Sequence, residues 1–568
     1  MSGTDLVTVD TIEVLDDREP DIRADPSYPE PPTGVRTAHS RRKMLSMAGI
    51  GTLGVVGAAC VPPPSEPTTP TPTVPTAPTG PLSSLAVAQH LARRATFGAT
   101  QADVGRIMSM GTAAWLDQQL SPSSLATAEH LLSGYVTLSN TNEANYAVKK
   151  TSGGVDRIFD ELDHATLLRA VYSQRQLYEV MCDFWTNHLN IWRQADWPIH
   201  LKTRDNETVI RAHALWKFAD LLMASAKSPA MLVYLDNYES RGDAGYQVNE
   251  NYGRELLELH TLGIINGSQV YSESDVVGVA KVLSGWGIDW DNGSLHNFEF
   301  GAWAHNREAV SILGGAWSRP ARPSWNDVVA NGLKDGESLI RFLARHPSTA
   351  RHLATKLAKR FVSDFPPPAL IDRLAAIYTA NDTAIAPVLR ELFLSAEFAA
   401  SVNQKVKRPI DWAISALRVT GAQIPTDCSG KAANDLRKAA SAMGQPLFER
   451  VSPDGWPDNA AYWVGADGLL KRWEHGAGIA RATGSDPAKL KVNATALLPS
   501  GLPSTNSALV SWLASERFQI AITIAEAEAI CAAASVSPGG AASQIAGSDT
   551  NLRTCIGLLL AHPSFHRR

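Results

Sequence analysis

From Leu82 onward, apolar residues recur with the 3.6-residue period of amphipathic helices, and turn signals interrupt the pattern at short intervals. The spacing predicts helices over 85–94 (Ser83 or Ser84 as N-cap), 101–110, 113–120, 160–187, 213–225 and 273–283. It also predicts a helical array over 338–344, 348–363, 368–380 and 383–394, with Pro366-Pro367-Pro368 as a rigid corner. Strand character is confined to 295–314, where Phe298-Glu299-Phe300 and the run from Ala309 to Leu313 read as one hairpin carrying Trp303, His305 and Asn306 in its loop. The fold expected for 82–568 is mainly α: a large multi-helix body, in one or two lobes, with a small β-hairpin insertion.

The first eighty residues read as an address. Residues 1–40 are an acidic, Pro-rich leader without periodicity, which reads as disordered. In 41–60, Arg41-Arg42-Lys43 precedes a short Gly/Ala-rich apolar run, the pattern of a twin-arginine export signal. Val56-Gly57-Ala58-Ala59-Cys60 resembles a lipobox, with Gly57 where a branched apolar residue is usual; Cys60 is then the lipidated residue, and ordinary cleavage after small residues is the alternative. Residues 61–81 form a Pro/Thr-rich spacer. The chain is thus expected outside the cytoplasm, in the envelope or secreted. The net charge of −5 offers no nucleic-acid footprint, and membrane contact is expected only through the lipid anchor. No CxxC or Cys/His zinc spacing occurs; Cys531 and Cys555 either pair after export or stay free and buried.

The densest chemistry lies in the run from Asn249 to Gly263. Projected as one helix, it places Tyr252, Leu256, Leu259 and Gly263 on an apolar face with Asn249 and His260 in its middle. Polar groups placed where leucines belong require partners, so they either tie the core or make a site. With Phe184-Trp185-Thr186-Asn187-His188 and His305-Asn306, the chain offers His188, His260 and His305 as nitrogen ligands and Glu250, Glu255 and Glu258 as oxygen donors. That set suits a divalent transition metal: zinc, iron, copper or manganese. Glu250, Glu255 and His260 are the candidate acid–base groups, and Asn187, Asn249 and Asn306 the candidate orienting groups. The plainer alternative is that His260 complements a helix C-terminus while Glu250, Arg254 and Glu258 form i,i+4 pairs on a solvated face.

Several motifs in order resemble the bacterial domain-of-unknown-function 1800 family. They are His90-Leu91-Ala92-Arg93-Arg94-Ala95-Thr96-Phe97-Gly98, Trp115 to Leu120, Phe184 to His188 (Thr186 where His is frequent), Asn249 to Gly263 (Gly253 where Ala is usual), Ser284-Gly285-Trp286, Met443 to Pro446 and Gly455-Trp456-Pro457-Asp458. His305-Asn306 resembles a His-Asp pair lacking its Asp, which puts any role of that Asp in doubt here. The resemblance implies an exported helical protein, no settled activity, and an envelope protein partner of phosphatase- or sulfatase-like fold. Three functions remain open from sequence: a metal-dependent envelope enzyme, a non-catalytic envelope scaffold, and a carbohydrate-binding surface built from Trp286, Trp290 and Trp303.

Overall fold

The computed structural model describes residues 84–568 except 195–197, 244, 265–266, 290–295, 428–430 and 485–488. The leader, the export signal with Cys60, the spacer, Trp290 and Cys428 lie outside the described residues. Within these bounds the chain is mainly α-helical, with two two-stranded antiparallel hairpins. Helices Gln101–Met110, Glu273–Leu283 and Pro368–Ala380 have the expected bounds. Capping boxes start the first two: Thr100 accepts from the Asp103 N–H and Ser272 from the Asp275 N–H, satisfying amides that the first turn leaves open.

The stretch expected as one long helix is two, Gly154–Tyr172 and Gln176–His188. Ser173 is extended, and buried Gln176 bridges the break by donating to Ala170 O (3.0 Å) and Ser173 O (2.8 Å). A similar break separates the short helix Arg211–His213 from Phe218–Ala226, where Lys217 pairs in extended form with Ala384.

The single expected hairpin is replaced by two. Strand β1 (Trp286–Asp289) pairs with β2 (Asn297–Phe300), and β3 (Val310–Ile312) with β4 (Trp317–Arg319). Gly285 permits this pairing. Its φ is +79°, and a Cβ there would lie 2.5 Å from Gly301 O, whose own N–H donates to Gly285 O (2.7 Å). The segment with Trp303, His305 and Asn306 therefore joins the two hairpins instead of capping one.

Helix Pro347–Phe361 runs beside the candidate site. His346 Nδ1 accepts from the Ser348 N–H (3.1 Å), and Pro347 occupies the first turn. Leu353, Leu357 and Phe361, at i, i+4 and i+8, are at most 1% exposed, each burial worth about 1.5–3 kcal/mol. This face packs on helix Pro368–Ala380. On an adjoining row, again at i, i+4 and i+8, stand His352, Lys356 and Arg360. Cys182, Cys531 and Cys555 are free, buried thiols. Among the described residues no helix is long and apolar enough to cross a membrane.

Candidate functional site: an imidazole and lysine centre

The run from Asn249 to Gly263 is not one α-helix. A short helix, Asn251–Glu255, widens into a π-turn, Leu256–His260. Asn249 precedes it: its Oδ1 accepts from the Asn251 N–H (3.0 Å) and its amide donates to Asp236 O (3.3 Å), so it shares no helical face with His260. The wide register is closed by Thr261, whose hydroxyl donates to Leu256 O (2.6 Å), and by Gly263, whose N–H donates to Leu257 O (3.0 Å). Such π-turns recur at functional sites. Gly263 has φ +73°, and a Cβ on it would lie 2.2 Å from His352 Nδ1. Glycine here lets helix Pro347–Phe361 approach, and the ring N–H of His352 donates to Leu259 O (Nε2 to O 3.1 Å).

His188, the last residue of helix Gln176–His188, completes the group. Its Nε2–H donates to the backbone oxygen of His260 (3.2 Å), and its ring packs against Phe184, Trp185 and Phe218. The ring centroids of His188 and His260 are 6.3 Å apart, and those of His188 and His352 6.1 Å. The loop after Arg450 is fastened to the same helix end. Asn187 donates to Trp456 O (2.9 Å) and accepts from the Trp456 N–H (2.7 Å), while Gly455, at φ +74°, leaves no room for a Cβ against Asn187 O.

Burial, then the charge of Lys356, hold all three imidazoles low: His188 well below the usual range, His260 and His352 at about 3. Burial also pushes Lys356 down to about 8, opposed by Asp454 and Asp458 and reinforced by Lys359. At neutral pH the centre therefore holds three neutral rings and one ammonium. His260 is wholly buried, and neither ring nitrogen has a hydrogen-bond partner among the described residues; the same holds for His188 Nδ1 and the Tyr252 hydroxyl. Buried Glu255 immediately precedes the π-turn; burial, then the charge of Glu255, raises the Tyr234 hydroxyl, which donates to Val451 O (2.6 Å).

The other sequence candidates are placed elsewhere. His305 Nδ1 faces Ser284 O (2.8 Å), and its ring packs on Phe300. Among the described residues no three His, Cys, Asp or Glu side chains are placed to hold a metal ion, so His188, His260 and His305 are not assembled as a ligand set. Glu250 pairs with Arg254 (3.2 Å) at the surface, and Arg254 also pairs with Glu273. Glu258 is only partly covered. Asn306 donates to Gly242 O (3.1 Å) and accepts from the Glu308 N–H (3.1 Å). The three asparagines thus bind backbone, not imidazole. Trp286 is fully buried beneath Phe298, so it cannot belong to a carbohydrate-binding surface; Trp303 lies under the Arg241 guanidinium.

Sequence reasoning missed His352 and Lys356, and also the ion cluster beneath them. Asp411 accepts from Arg360 (2.9 Å to each oxygen), Arg568 (3.0 Å) and Arg408 (3.1 Å), all at most 2% exposed. Arg408 also pairs with Asp183, on the helix that ends at His188. Burial alone would raise the Asp411 carboxyl, but the charges of Arg360, Arg408 and Arg568 hold it well below the usual range. Asn187 also borders a cleft with about 60 Å³ of free space. Asn187, Asn190 and Gln445 line it, and all three already bond backbone. A second cleft of about 250 Å³ is lined by Arg169 and Arg211, both paired with glutamates.

No curated protein and no solved structure matches the chain. A family model described as "Protein of unknown function (DUF1800)" matches residues 90–567, which takes in the segments around His188, His260, His352 and Asp458 alike. The chain therefore belongs to the DUF1800 family.

Proposed function

We propose that this chain is an exported cell-envelope protein whose imidazole and lysine centre is a working site for acid–base chemistry. Export is supported by Arg41-Arg42, the apolar run after them and the Pro/Thr-rich spacer, with Cys60 as the lipid anchor or the chain cleaved before it. Function at the centre is supported above all by His260. A buried ring with both nitrogens unpartnered costs folding free energy, and a leucine would fill the same space without that cost. An amine near pKa 8 beside neutral imidazoles is suited to giving and taking protons at a bound ligand. Among the described residues no three His, Cys, Asp or Glu side chains stand together to hold a metal ion, so the reading rests on the imidazoles and the amine themselves. The scaffold reading accounts for Asn187, Asn249 and Asn306, whose bonds hold backbone segments together, but not for His260.

His260→Leu separates the two. The backbone oxygen of residue 260 still accepts from His188, so only the ring is lost. A working site predicts a urea midpoint equal to or above that of the parent, up to about 2 kcal/mol more stable, because an unpaired buried polar group is removed. A loss of about 2 kcal/mol or more would assign His260 to packing and contradict the proposal.

A further inference from the structure

We infer that the cleft beside Asn187 holds one neutral sugar ring, recognised through its hydroxyls; the inference concerns a cavity apart from the imidazoles and stands whether or not His260 acts. The free space of the cleft is about 60 Å³. At about 10–15 Å³ of such space per water, it admits about four to six waters, on the order of 120–180 Å³ of ligand, the size of a monosaccharide and too small for a disaccharide. Helix Gln176–His188 forms one wall: Glu179, Cys182, Asp183, Thr186 and Asn187, three or four residues apart, share the face that lines the cleft. Gln445, Phe448 and Trp456 also line it, and each is tied in place. The Ile410 N–H donates to Gln445 Oε1 (3.1 Å), the Arg193 N–H donates to Phe448 O (3.1 Å), and the Trp456 backbone is bonded both ways to Asn187. The cleft is thus formed before any ligand arrives.

Four side chains that line it have polar atoms left over. The amide nitrogen of Gln445 has no acceptor among the described residues, although the residue is only 4% exposed. Asn206, also 4% exposed, donates to Glu207 (3.3 Å) and leaves its oxygen open. Asp183 meets Arg408 and Arg360 through Oδ2, so Oδ1 is open, and the Thr186 hydroxyl has no partner among the described residues. Unlike the ring nitrogens of His260, none of these four atoms is sealed off, so a ligand can reach them. The charges lining the cleft are already answered, Asp183 by Arg408 and Glu179 by Arg211 (2.7 Å). A charged ligand would find no free counter-charge there, which favours a neutral one. Open acceptors on Asp183 and Asn206, with an open donor on Gln445 and a hydroxyl on Thr186, match groups that both give and take hydrogen bonds, as sugar hydroxyls do. Phe97, Ile414, Phe448 and Trp456 supply apolar surface for the C–H faces of the ring.

Calorimetric titration of the intact protein with D-glucose, D-galactose and D-mannose tests the assignment. At least one is expected to bind, and its 2-amino and 6-carboxylate forms should bind at least about tenfold more weakly, because each brings an unanswered charge. Thr186→Phe fills the cleft and should abolish binding with its urea midpoint retained. Thr186→Val removes only the open hydroxyl and should weaken binding by about fivefold or more; it carries the test by itself if Thr186→Phe does not fold. The methyl glycosides of the bound sugar distinguish the sources: binding of either anomer points to the end of a glycan chain, binding of neither to the free sugar. Binding of none of the three sugars, a charged form bound as tightly as its neutral parent, or unchanged affinity in Thr186→Val would overturn the inference.

Discussion

Asp411→Ala should be the most damaging single substitution in the chain. Removing that carboxylate leaves Arg360, Arg408 and Arg568 buried around an empty space, with Asp183 and Asp458 as the remaining nearby counter-charges. Breaking one buried ion pair typically costs 3–5 kcal/mol because the surviving charge stays desolvated, and here three guanidiniums lose the fully buried acid they have in common. A loss of about 5 kcal/mol is a large share of a typical folding free energy, so little folded protein should accumulate. The matched control is Asp117→Ala. Asp117 pairs with Arg390 while 50% exposed, and solvent screening limits that loss to under about 1 kcal/mol. Urea unfolding, or soluble yield where Asp411→Ala does not fold, checks the contrast. Similar midpoints for the two variants would show that the cluster does not hold the helices together.

The second large effect is acid lability that sets in before the carboxylates titrate. In the unfolded chain each imidazole takes a proton near pH 6.5. In the folded chain burial delays this to about 3 for His200, His260, His352 and His566, and about 4 for His164 and His305. These are bases with depressed folded-state pKa values. Below pH 6.5 the unfolded state therefore binds more protons, and stability falls with pH until the folded-state values are reached. Each such ring contributes a slope of about 1.4 kcal/mol per pH unit, so the rings of the centre alone cost on the order of 5 kcal/mol between pH 6.5 and 5. Asp411 acts in the same direction, but its stabilisation is present above the ordinary carboxylate range and is lost only as pH falls through its own depressed value. Urea midpoints should thus decline steadily from pH 6.5 downward. A flat profile to pH 4.5 would mean that the buried rings are already protonated or well solvated in the folded protein.

Local signals made the helices legible. The Thr100–Asp103 and Ser272–Asp275 capping boxes fix starts to the residue, and three helices have the bounds that periodicity sets. Strand pairing was less legible. The alternation in Phe298-Glu299-Phe300 marks a strand but carries no information about its partner, and Gly285 turns it back to Trp286–Asp289. The π-turn was hidden for a related reason. An extra residue in one turn leaves the sequence looking like an ordinary helix, and only Thr261 and Gly263 close it. His260 stood out as a polar group on an apolar face and His188 by the aromatic pair before it, and both reach the centre. His305 was chosen by residue type, and chain topology places it against Phe300 and Ser284. His352 and Lys356 escaped notice because an i,i+4 basic pair normally reads as a solvated face. Their row, continued by Arg360, flanks the buried stripe Leu353, Leu357, Phe361, and that adjacency was the available clue.

Distant segments of the chain meet around the rings of His188, His260 and His352, and Lys356 lacks an ion-pair partner among the described residues. Nuclear magnetic resonance titration of selectively labelled histidine and lysine side chains measures the charges of these groups directly. The account predicts that His188, His260 and His352 remain neutral down to pH 5 in the folded protein while Lys356 titrates near 8. Imidazoles titrating together near 6.5, with Lys356 near 10.5, would place these groups in water and contradict it.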